Sequence, residues 1–349
     1  MVIALLLVGL AAGNSMNCTK FMCGDDDKFP SESVCMIKDT NNSVVYTRAC
    51  KADNYYCRVG RFSDEADCYR EVHQVHTKIP GESCYYAEDC WLSNVCFEGV
   101  CKGYGKEDSC TNDRDCELGL YCGGGICKNQ IAINSKGCLR DYDCVNNAGC
   151  QVVNSSDPSQ NVCKPYFSLE TGSEVLGCDR NGEVQALCSS GFCLESGNKS
   201  QCAEAPSLAG GVPTPCGSSN DCKANSIDIT HSCRCGYNSD GQSYCSLFPG
   251  DKPYQKYFTY LKDWITWLSN NAQRCHTVAR FSTNCLEENW KLDDADELRY
   301  YSYQAVHYPM LVNANKCALK AYAPDYYELE HEEDSAFYVA QAAVLLLFA

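Results

Sequence analysis

The chain has 349 residues, 30 cysteines and a formal net charge of −16 at neutral pH. The charge argues against partners held by clustered cations, namely nucleic acid and the surface of an anionic bilayer. A cysteine content of about 9% is typical of a disulfide scaffold, and disulfides persist only in oxidising compartments. We therefore expect an extracellular or cell-surface protein made of several small modules, each held together by disulfides in place of a large core.

Both ends of the sequence are apolar. Residues 1–12 read MVIALLLVGLAA and predict a signal peptide over residues 1–15, with a buried segment of the mature protein as the alternative. Residues 336–349 are too few for a membrane-spanning helix, which needs about 20 residues. They are typical of a GPI-anchor attachment signal. A retained tail that packs against a neighbouring subunit, or a truncated sequence, is the alternative.

A cysteine spacing repeats along the middle of the chain. The pattern C-x5-C-x5-C-x4-C occurs twice without change, and a third copy has a polar insert before its last cysteine. An Asp precedes the second cysteine of each copy, and we expect its carboxylate to accept backbone N–H groups of a turn. Each copy is predicted to hold two short strands and no helix longer than one turn. The disulfide framework of the three copies comprises Cys84, Cys90, Cys96, Cys101, Cys110, Cys116, Cys122, Cys127, Cys138, Cys144, Cys150 and Cys163.

The predicted fold class is a tandem array of small disulfide-rich modules, with short β-hairpins and few helices, followed by a C-terminal α-helical domain. Two more divergent repeats follow the first three, and a Pro- and Gly-rich linker is expected at residues 203–215. The predicted segments are the signal peptide (1–15), an N-terminal cysteine-rich region (16–78), three tandem repeats (79–164), a fourth repeat (165–203), a fifth repeat (204–250), the helical domain (251–334) and the apolar tail (335–349).

The helical domain is predicted from apolar spacing. Asp251 can cap the first helix and Pro253 fits its first turn, and a second helix is expected over about 273–281. The third runs over about 294–308 and should end at Pro309. We interpret most of the aromatic residues as core, with part of them as a contact surface, and Tyr326–Tyr327 as an exposed patch. The residues expected on one face of the first helix are Tyr257, Leu261, Trp264, Ile265 and Leu268.

The number of cysteines in each segment suggests a long-range disulfide. The N-terminal region holds six, the first four repeats hold four each, the fifth holds five and the helical domain three. Only the last two numbers are odd. We therefore expect one bridge between the fifth repeat and the helical domain.

Four N-x-S/T sequons predict N-linked glycosylation at Asn17, Asn41, Asn154 and Asn198. No metal or cofactor site is expected. The pair His73 and His76 has no thiolate pair at zinc-ligand spacing, and the acidic runs at 25–27 and 293–297 have no calcium-binding loop pattern. The motifs of hydrolases, metalloproteases and nucleotide-binding enzymes are absent from the sequence. We expect no catalysis, and we interpret His276 beside Cys275 as packing.

The sequence CTNDRDCELGLYCGGGICK at residues 110–128 resembles the N-terminal cysteine-rich region of the Dickkopf family. The stretch CRCGYNSDGQSYCSLFPGD at residues 233–251 resembles cysteine-rich secreted or surface proteins of ciliated protists. The resemblance covers about residues 84–251. It implies that the first cysteine of a module pairs with the third and the second with the fourth. Dickkopf proteins antagonise signalling by binding co-receptors, largely through a second cysteine-rich domain, whose place the helical domain takes here.

Two functions follow as hypotheses. The first is an extracellular structural glycoprotein that associates with copies of itself into a surface coat or filament, carries N-linked glycans and meets a membrane only through a lipid anchor. The alternative is a secreted or cell-surface binding or adhesion protein that recognises one protein partner. An exposed aromatic patch on a single module would favour the alternative. A secreted inhibitor, marked by one protruding disulfide-braced loop, is a third class.

Overall fold

A computed structural model describes residues 16, 18–23, 34–39, 44–49, 55–59, 66–70, 75–154, 156–178, 185–197, 199–271 and 273–330. The predicted signal peptide and the predicted apolar tail lie outside these residues.

The predicted fold class is confirmed, with short sheets up to residue 245 and α-helices from Lys252 onward. The helices are α1 (Lys252–Asn270), α2 (Thr283–Asn289), α3 (Leu292–Leu311) and α4 (Lys316–Tyr322). The first strands are β1 (Lys20–Met22), β2 (Val34–Asp39), β3 (Val44–Ala49), β4 (Tyr55–Val59) and β5 (Ala66–Arg70). The later strands are β6 (Val95–Phe97), β7 (Val100–Lys102), β8 (Leu120–Gly123), β9 (Ile126–Asn129), β10 (Ala148–Gln151), β11 (Val162–Pro165), β12 (Glu174–Val175), β13 (Cys193–Ser196), β14 (Lys199–Cys202), β15 (Cys233–Cys235) and β16 (Ser243–Cys245).

By its contacts the chain divides into two units, each assembled from separate stretches of sequence. Of the described residues, those within 16–70, 208–247 and 306–330 form the terminal unit, and those within 75–207 and 248–305 form the central unit. Residues 203–215, expected as a linker, contain the boundary between 207 and 208. The helical region contributes to both units, since α3 crosses from one to the other after residue 305.

Five modules share one local design, and we number them 1 to 5 by their cysteine-bounded ranges 84–101, 110–127, 138–163, 178–202 and 216–245. In each, an antiparallel hairpin places the third cysteine directly opposite the fourth, or in module 5 the cysteines at 233 and 245. Both are bridged to cysteines of the preceding loop, so the pairing interleaves. The bridges are Cys84–Cys96, Cys90–Cys101, Cys110–Cys122, Cys116–Cys127, Cys138–Cys150, Cys144–Cys163, Cys178–Cys193, Cys188–Cys202, Cys216–Cys233 and Cys222–Cys245.

The Asp before the second cysteine closes a turn in four of the modules, as predicted. The Oδ2 atom of Asp89 accepts the backbone N–H groups of Tyr85 and Tyr86 at 2.8 and 3.0 Å. Asp115 and Asp143 make the same two bonds in modules 2 and 3, as Asp221 does in module 5 (Gly217 and Ser218). The carboxylate therefore satisfies backbone donors that a short loop leaves unpaired.

The core of the central unit lies between module 4 and α1. The buried face of α1 presents Tyr254, Phe258, Leu261, Trp264, Ile265 and Leu268. Leu261, Trp264, Ile265 and Leu268 pack with Leu187 and Leu298 around the Cys188–Cys202 and Cys275–Cys285 bridges. The interpretation of this aromatic stretch as core is confirmed. The side chain of Asp251 does not cap α1 as expected. Its carboxylate instead accepts a hydrogen bond from the N–H of Phe248, three residues earlier, at 2.8 Å.

A segment that we call the strap (residues 275–281) fastens modules 2 and 3 to the helices within the central unit. His276 Nε2 donates to the carbonyl of Cys116 at 3.0 Å and Thr277 Oγ1 to that of Tyr142 at 2.7 Å. The fully buried guanidinium of Arg280 donates to the carbonyls of Ala148 and Cys144 at 2.8 and 3.1 Å. The strap therefore satisfies buried carbonyls that belong to the modules.

The predicted second helix over 273–281 is wrong. Only a 3-10 turn at Thr277–Ala279 forms there, because the side chains of His276 and Arg280 are committed to the module carbonyls. The α-helix begins later, at Thr283, where the hydroxyl of Ser282 accepts the N–H of Cys285 as an N-cap.

The predicted end of the third helix is also wrong. α3 continues past Pro309 to Leu311. The last turn is held by contacts of the terminal unit, in which the carbonyl of Met310 accepts the N–H of Tyr237 at 3.1 Å. One missing backbone donor so close to a helix end costs little when the turn is anchored from outside.

The predicted bridge between the fifth repeat and the helical domain is wrong, as the disulfides of the terminal unit show. Cys235 of module 5 pairs with Cys18, and Cys317 of α4 pairs with Cys23. Both bridges run to the N-terminal region and neither joins the fifth repeat to the helical domain. The number of cysteines in the N-terminal region stays even when two of them pair elsewhere, so the count did not reveal these bridges. Phe21 fills the space beside these bridges with Tyr237, Tyr322 and Ala318.

Candidate protein-interaction site

Module 1 carries a set of large apolar side chains that face solvent. Tyr85 is 88% exposed, Leu92 75%, Tyr86 66%, Val95 59% and Phe97 57%. We call these five residues the module 1 patch. Isolated exposed apolar residues are ordinary, whereas five within thirteen consecutive residues are typical of an interaction surface.

The Cys84–Cys96 bridge brings residues of the patch that are distant in sequence close together. Its two Cα atoms are 5.9 Å apart, and Tyr85 follows one half-cystine while Val95 and Phe97 flank the other. Consecutive Cα atoms are about 3.8 Å apart, so the Cα of Tyr85 lies within about 14 Å of those of Val95 and Phe97. Val95 and Phe97 alternate with Cys96 along β6, so their side chains leave the strand on the face opposite the bridge.

The turn geometry fixes the two tyrosines. Their backbone N–H groups are both bound by Asp89, whose carboxylate is buried. Asp89 thus holds the backbone that carries both exposed rings. Binding a partner through these rings therefore costs little additional backbone conformational entropy. Tyr is favoured at interfaces for this combination of a rigid apolar ring and a polar tip.

Module 2 shows why Leu92 is uncovered. The corresponding residue there is Leu118, which packs against the backbone of Gly81, in the segment that leads into module 1. A Cβ on Gly81 would meet a methyl group of Leu118 at 2.8 Å, so the contact requires glycine. Leu92 occupies the same position in module 1, where its side chain is exposed to solvent.

The charges near the patch are negative. Glu88 and Glu98 are exposed next to Tyr86 and Phe97, and within the described ranges neither side chain has an ion-pair partner. The cations of the same stretch are occupied, since Lys78 donates to the carbonyl of Ser83 and Lys102 lies 3.8 Å from Glu117. The patch therefore suits an apolar surface bordered by Lys or Arg.

The module 1–module 2 junction is polar and well satisfied. Trp91 Nε1 and Ser93 Oγ donate to Asp115 Oδ1 at 3.2 and 2.6 Å, and the guanidinium of Arg114 lies over the ring of Trp91 at 4.7 Å. Burial acts to raise the pKa of Asp115, but the bonds from Ser93, Thr111 and Asn112 outweigh it and lower the pKa to about 2. The carboxylate is thus ionised at any physiological pH and orients module 1 on module 2.

One of the four expected glycosylation sites, Asn154, lies among the described residues. Asn154 is exposed in the insert between β10 and β11, and its Oδ1 accepts the N–H of Ser156 at 2.9 Å. This is the accessible loop position that the sequence predicts. Asn17, Asn41 and Asn198 lie outside the described residues.

Other candidates from the sequence have structural roles. His276 is buried, and burial lowers its pKa to about 4, so the ring is neutral and its Nδ1 accepts the N–H of Val278. His76 Nδ1 lies 3.0 Å from the carbonyl of Cys90. The expected exposed patch at Tyr326–Tyr327 is wrong, because Tyr326 is buried in the terminal unit and Tyr327 is half-buried.

The residues beside the cysteines, rather than the cysteine spacing, distinguish module 1 from the other repeats in the sequence. When the repeats are aligned on their cysteines, Tyr85 and Tyr86 correspond to Thr111 and Asn112 of module 2, and Phe97 corresponds to Gly123. Only module 1 has large apolar residues at all five positions of the patch.

No protein-family model matches the chain, and neither a curated protein nor a solved structure matches it. The density of its bridges indicates a disulfide-rich protein of a secreted or extracellular setting. Among the described residues, no helix combines the length and apolar character needed to cross a bilayer.

Proposed function

We propose that the chain is a secreted or cell-surface binding protein, without catalytic activity, that recognises a protein partner through the module 1 patch. The observation that carries the proposal is the confinement of five exposed large apolar residues to one module. Modules 2 and 3 have the same backbone design but carry small or polar residues at most of the corresponding positions. The exposed Asn154 supports a glycoprotein, in keeping with an extracellular role.

The partner is proposed to offer an apolar surface with basic residues at its border. Tyr85, Tyr86 and Phe97 supply the aromatic anchors that dominate binding energy in most interfaces. Glu88 and Glu98 lie at the edge, where charge governs the association rate and excludes acidic partners. The affinity should therefore fall with rising ionic strength, mainly through slower association.

The test uses the full, disulfide-intact chain labelled with a fluorophore and added to cells of its source. Saturable binding that trypsin treatment of the cells removes would identify a protein partner. We expect Tyr85→Ser combined with Phe97→Ser to weaken binding at least about tenfold, as loss of two anchors does. The matched control is Leu139→Ser, at the position of module 3 that corresponds to Tyr85. Equal binding by the double variant and the control would overturn the proposal.

The second candidate is self-association into a coat or filament. It is favoured by the exposure of Leu92, because the corresponding Leu118 of module 2 is covered by the segment around Gly81. The Gly81 of a second copy is already occupied by that copy's own Leu118, so Leu92 would instead meet the apolar module 1 patch of the second copy. Concentration-dependent sedimentation together with regular filaments or sheets in negative-stain micrographs, both lost in Leu92→Ser, would replace the first proposal by this one. A monomer at all concentrations would exclude it.

A further inference from the structure

An open cleft of about 710 Å³ in the central unit shares no lining residue with the module 1 patch. Its apolar part consists of Gly81, Val100 and Leu118, at the junction of modules 1 and 2. Its polar part comes from the C-terminal end of α1, the loop that follows and the end of α2. The volume lies within the range of small-molecule sites, about 300–1,000 Å³.

The polar lining consists mostly of side-chain amides, with one cation and one anion. Each amide carries a donor and an acceptor side by side, which matches neighbouring hydroxyl groups of a ligand. The six side chains are Asn270, Asn271, Gln273, Asn289, Arg274 and Glu288.

Several of these groups retain hydrogen-bonding capacity. The Nδ2 atoms of Asn271 and Asn289 donate to the carbonyls of Trp267 and Cys285 at 2.9 and 3.1 Å, which fixes both amides and leaves their Oδ1 atoms as acceptors. Within the described part of the chain, the side chains of Gln273 and Arg274 make no hydrogen bond or ion pair. The cleft thus presents oriented acceptors beside available donors.

We infer that this cleft binds a neutral oligosaccharide. Amide, guanidinium and carboxylate groups would bond sugar hydroxyls, while Val100 and Leu118 would meet the apolar C–H face of a ring. Arg274 is balanced by Glu288 in the same lining, so the site has no preference for a charged ligand. A nucleic acid or polyphosphate would need several cations. An extended peptide would need an open strand edge, whereas the one strand in the lining, β7 at Val100, pairs with β6 on one side and with Ser83 on the other.

The inference is independent of the proposed protein partner, because the module 1 patch contributes no residue to the lining of the cleft. The test titrates the full chain with cellotriose, maltotriose, mannotriose and triacetylchitotriose by isothermal calorimetry. Trigalacturonate serves as the anionic probe and triglycine as the peptide probe. We expect one-to-one binding of at least one neutral trisaccharide, tighter than that of either other probe.

Substitutions assign the binding to the cleft. Gln273→Ala should weaken it about fivefold and Arg274→Ala at least about tenfold, as loss of a neutral and of a charge-assisted hydrogen bond does. Both side chains are exposed, so neither change should disturb folding. The matched control, Lys106→Ala, removes an exposed cation elsewhere in the central unit and should leave affinity unchanged.

Three results would overturn the inference. One is the absence of heat with every neutral trisaccharide at about 10 mM, which corresponds to a free energy weaker than about −3 kcal/mol. The second is binding that neither cleft variant weakens relative to Lys106→Ala. The third is tighter binding of trigalacturonate or triglycine, which would assign the cleft to an anionic sugar or to a peptide.

Discussion

Replacing Asp115 by Asn should loosen the junction between modules 1 and 2. The Asp115 carboxylate accepts hydrogen bonds from the N–H groups of Thr111 and Asn112 at 2.7 and 3.0 Å, and from Ser93 Oγ and Trp91 Nε1 on module 1. Its pKa of about 2, against 3.8 ordinarily, corresponds to about 2 kcal/mol of stability at neutral pH. Screening by nearby water reduces the expected loss to about 1–2 kcal/mol.

The sign of the pH dependence follows from the lowered pKa. The unfolded chain takes up a proton at this carboxylate near pH 3.8, whereas the folded chain does so only near pH 2. This part of the stability is therefore complete above about pH 5 and is lost as the pH falls toward 2. The Asn variant should lack that part of the acid dependence.

Two measurements on the disulfide-intact chain test this reasoning. Guanidinium unfolding followed by tryptophan fluorescence reports the free energy of unfolding, and hydrogen exchange of the peptide that contains Thr111 and Asn112 reports the turn itself. The matched control is Asp108→Asn, since Asp108 is exposed and accepts a single backbone bond, from Gly105 at 2.8 Å. An Asp115→Asn chain with the stability and acid dependence of the control would refute the argument.

Three further predictions concern the strap and the terminal unit. Arg280→Met should destabilise the central unit by about 3–5 kcal/mol in thermal or guanidinium unfolding, because several buried carbonyls lose their charged donor; a loss below about 1 kcal/mol would show that water replaces it. His276, with its pKa lowered to about 4 by burial, makes stability fall as the pH drops from about 6.5 to 4, since the unfolded chain takes up a proton first. His276→Asn should flatten that slope, by up to about 3 kcal/mol, and an unchanged slope would contradict the assignment. Mass spectrometry of a non-reduced digest should find a peptide that links Cys18 to Cys235, and a bridge from Cys235 to the helical region would contradict the terminal unit.

The features predicted well are those that local sequence determines. The Asp before the second cysteine acts within four residues of its partners, and the apolar spacing of α1 fixes its buried face through helical periodicity. The hairpins follow from short spacings between cysteines. In each of these cases the interacting groups are close along the chain, so spacing carries the geometry.

The features missed depend on contacts between distant segments. Counting cysteines cannot detect two bridges that leave the same region, because the total of that region stays even. The strap fails to form the expected helix because Arg280 and His276 bind carbonyls more than 130 residues earlier. α3 extends past Pro309 because module 5 holds its end. The module 1 patch is not visible in the cysteine spacing, because it depends on the residues beside the cysteines, which differ from one repeat to the next.

The two bridges of the terminal unit impose an order on biosynthesis. Within the modules a cysteine meets its partner 11 to 23 residues later, so each module can close as soon as it has been made. Cys23 pairs 294 residues downstream, which at about 5–20 residues per second means a wait of roughly 15–60 seconds during synthesis. Cys18 waits a shorter time, because its partner Cys235 is 217 residues downstream. Until their partners are made, both cysteines must stay unpaired, or be released from wrong pairs by thiol–disulfide exchange, while completed modules accumulate behind them. Cys18 and Cys23 are thus oxidised correctly later than the modules made after them, and the yield of native protein should depend on disulfide isomerase more than on oxidant.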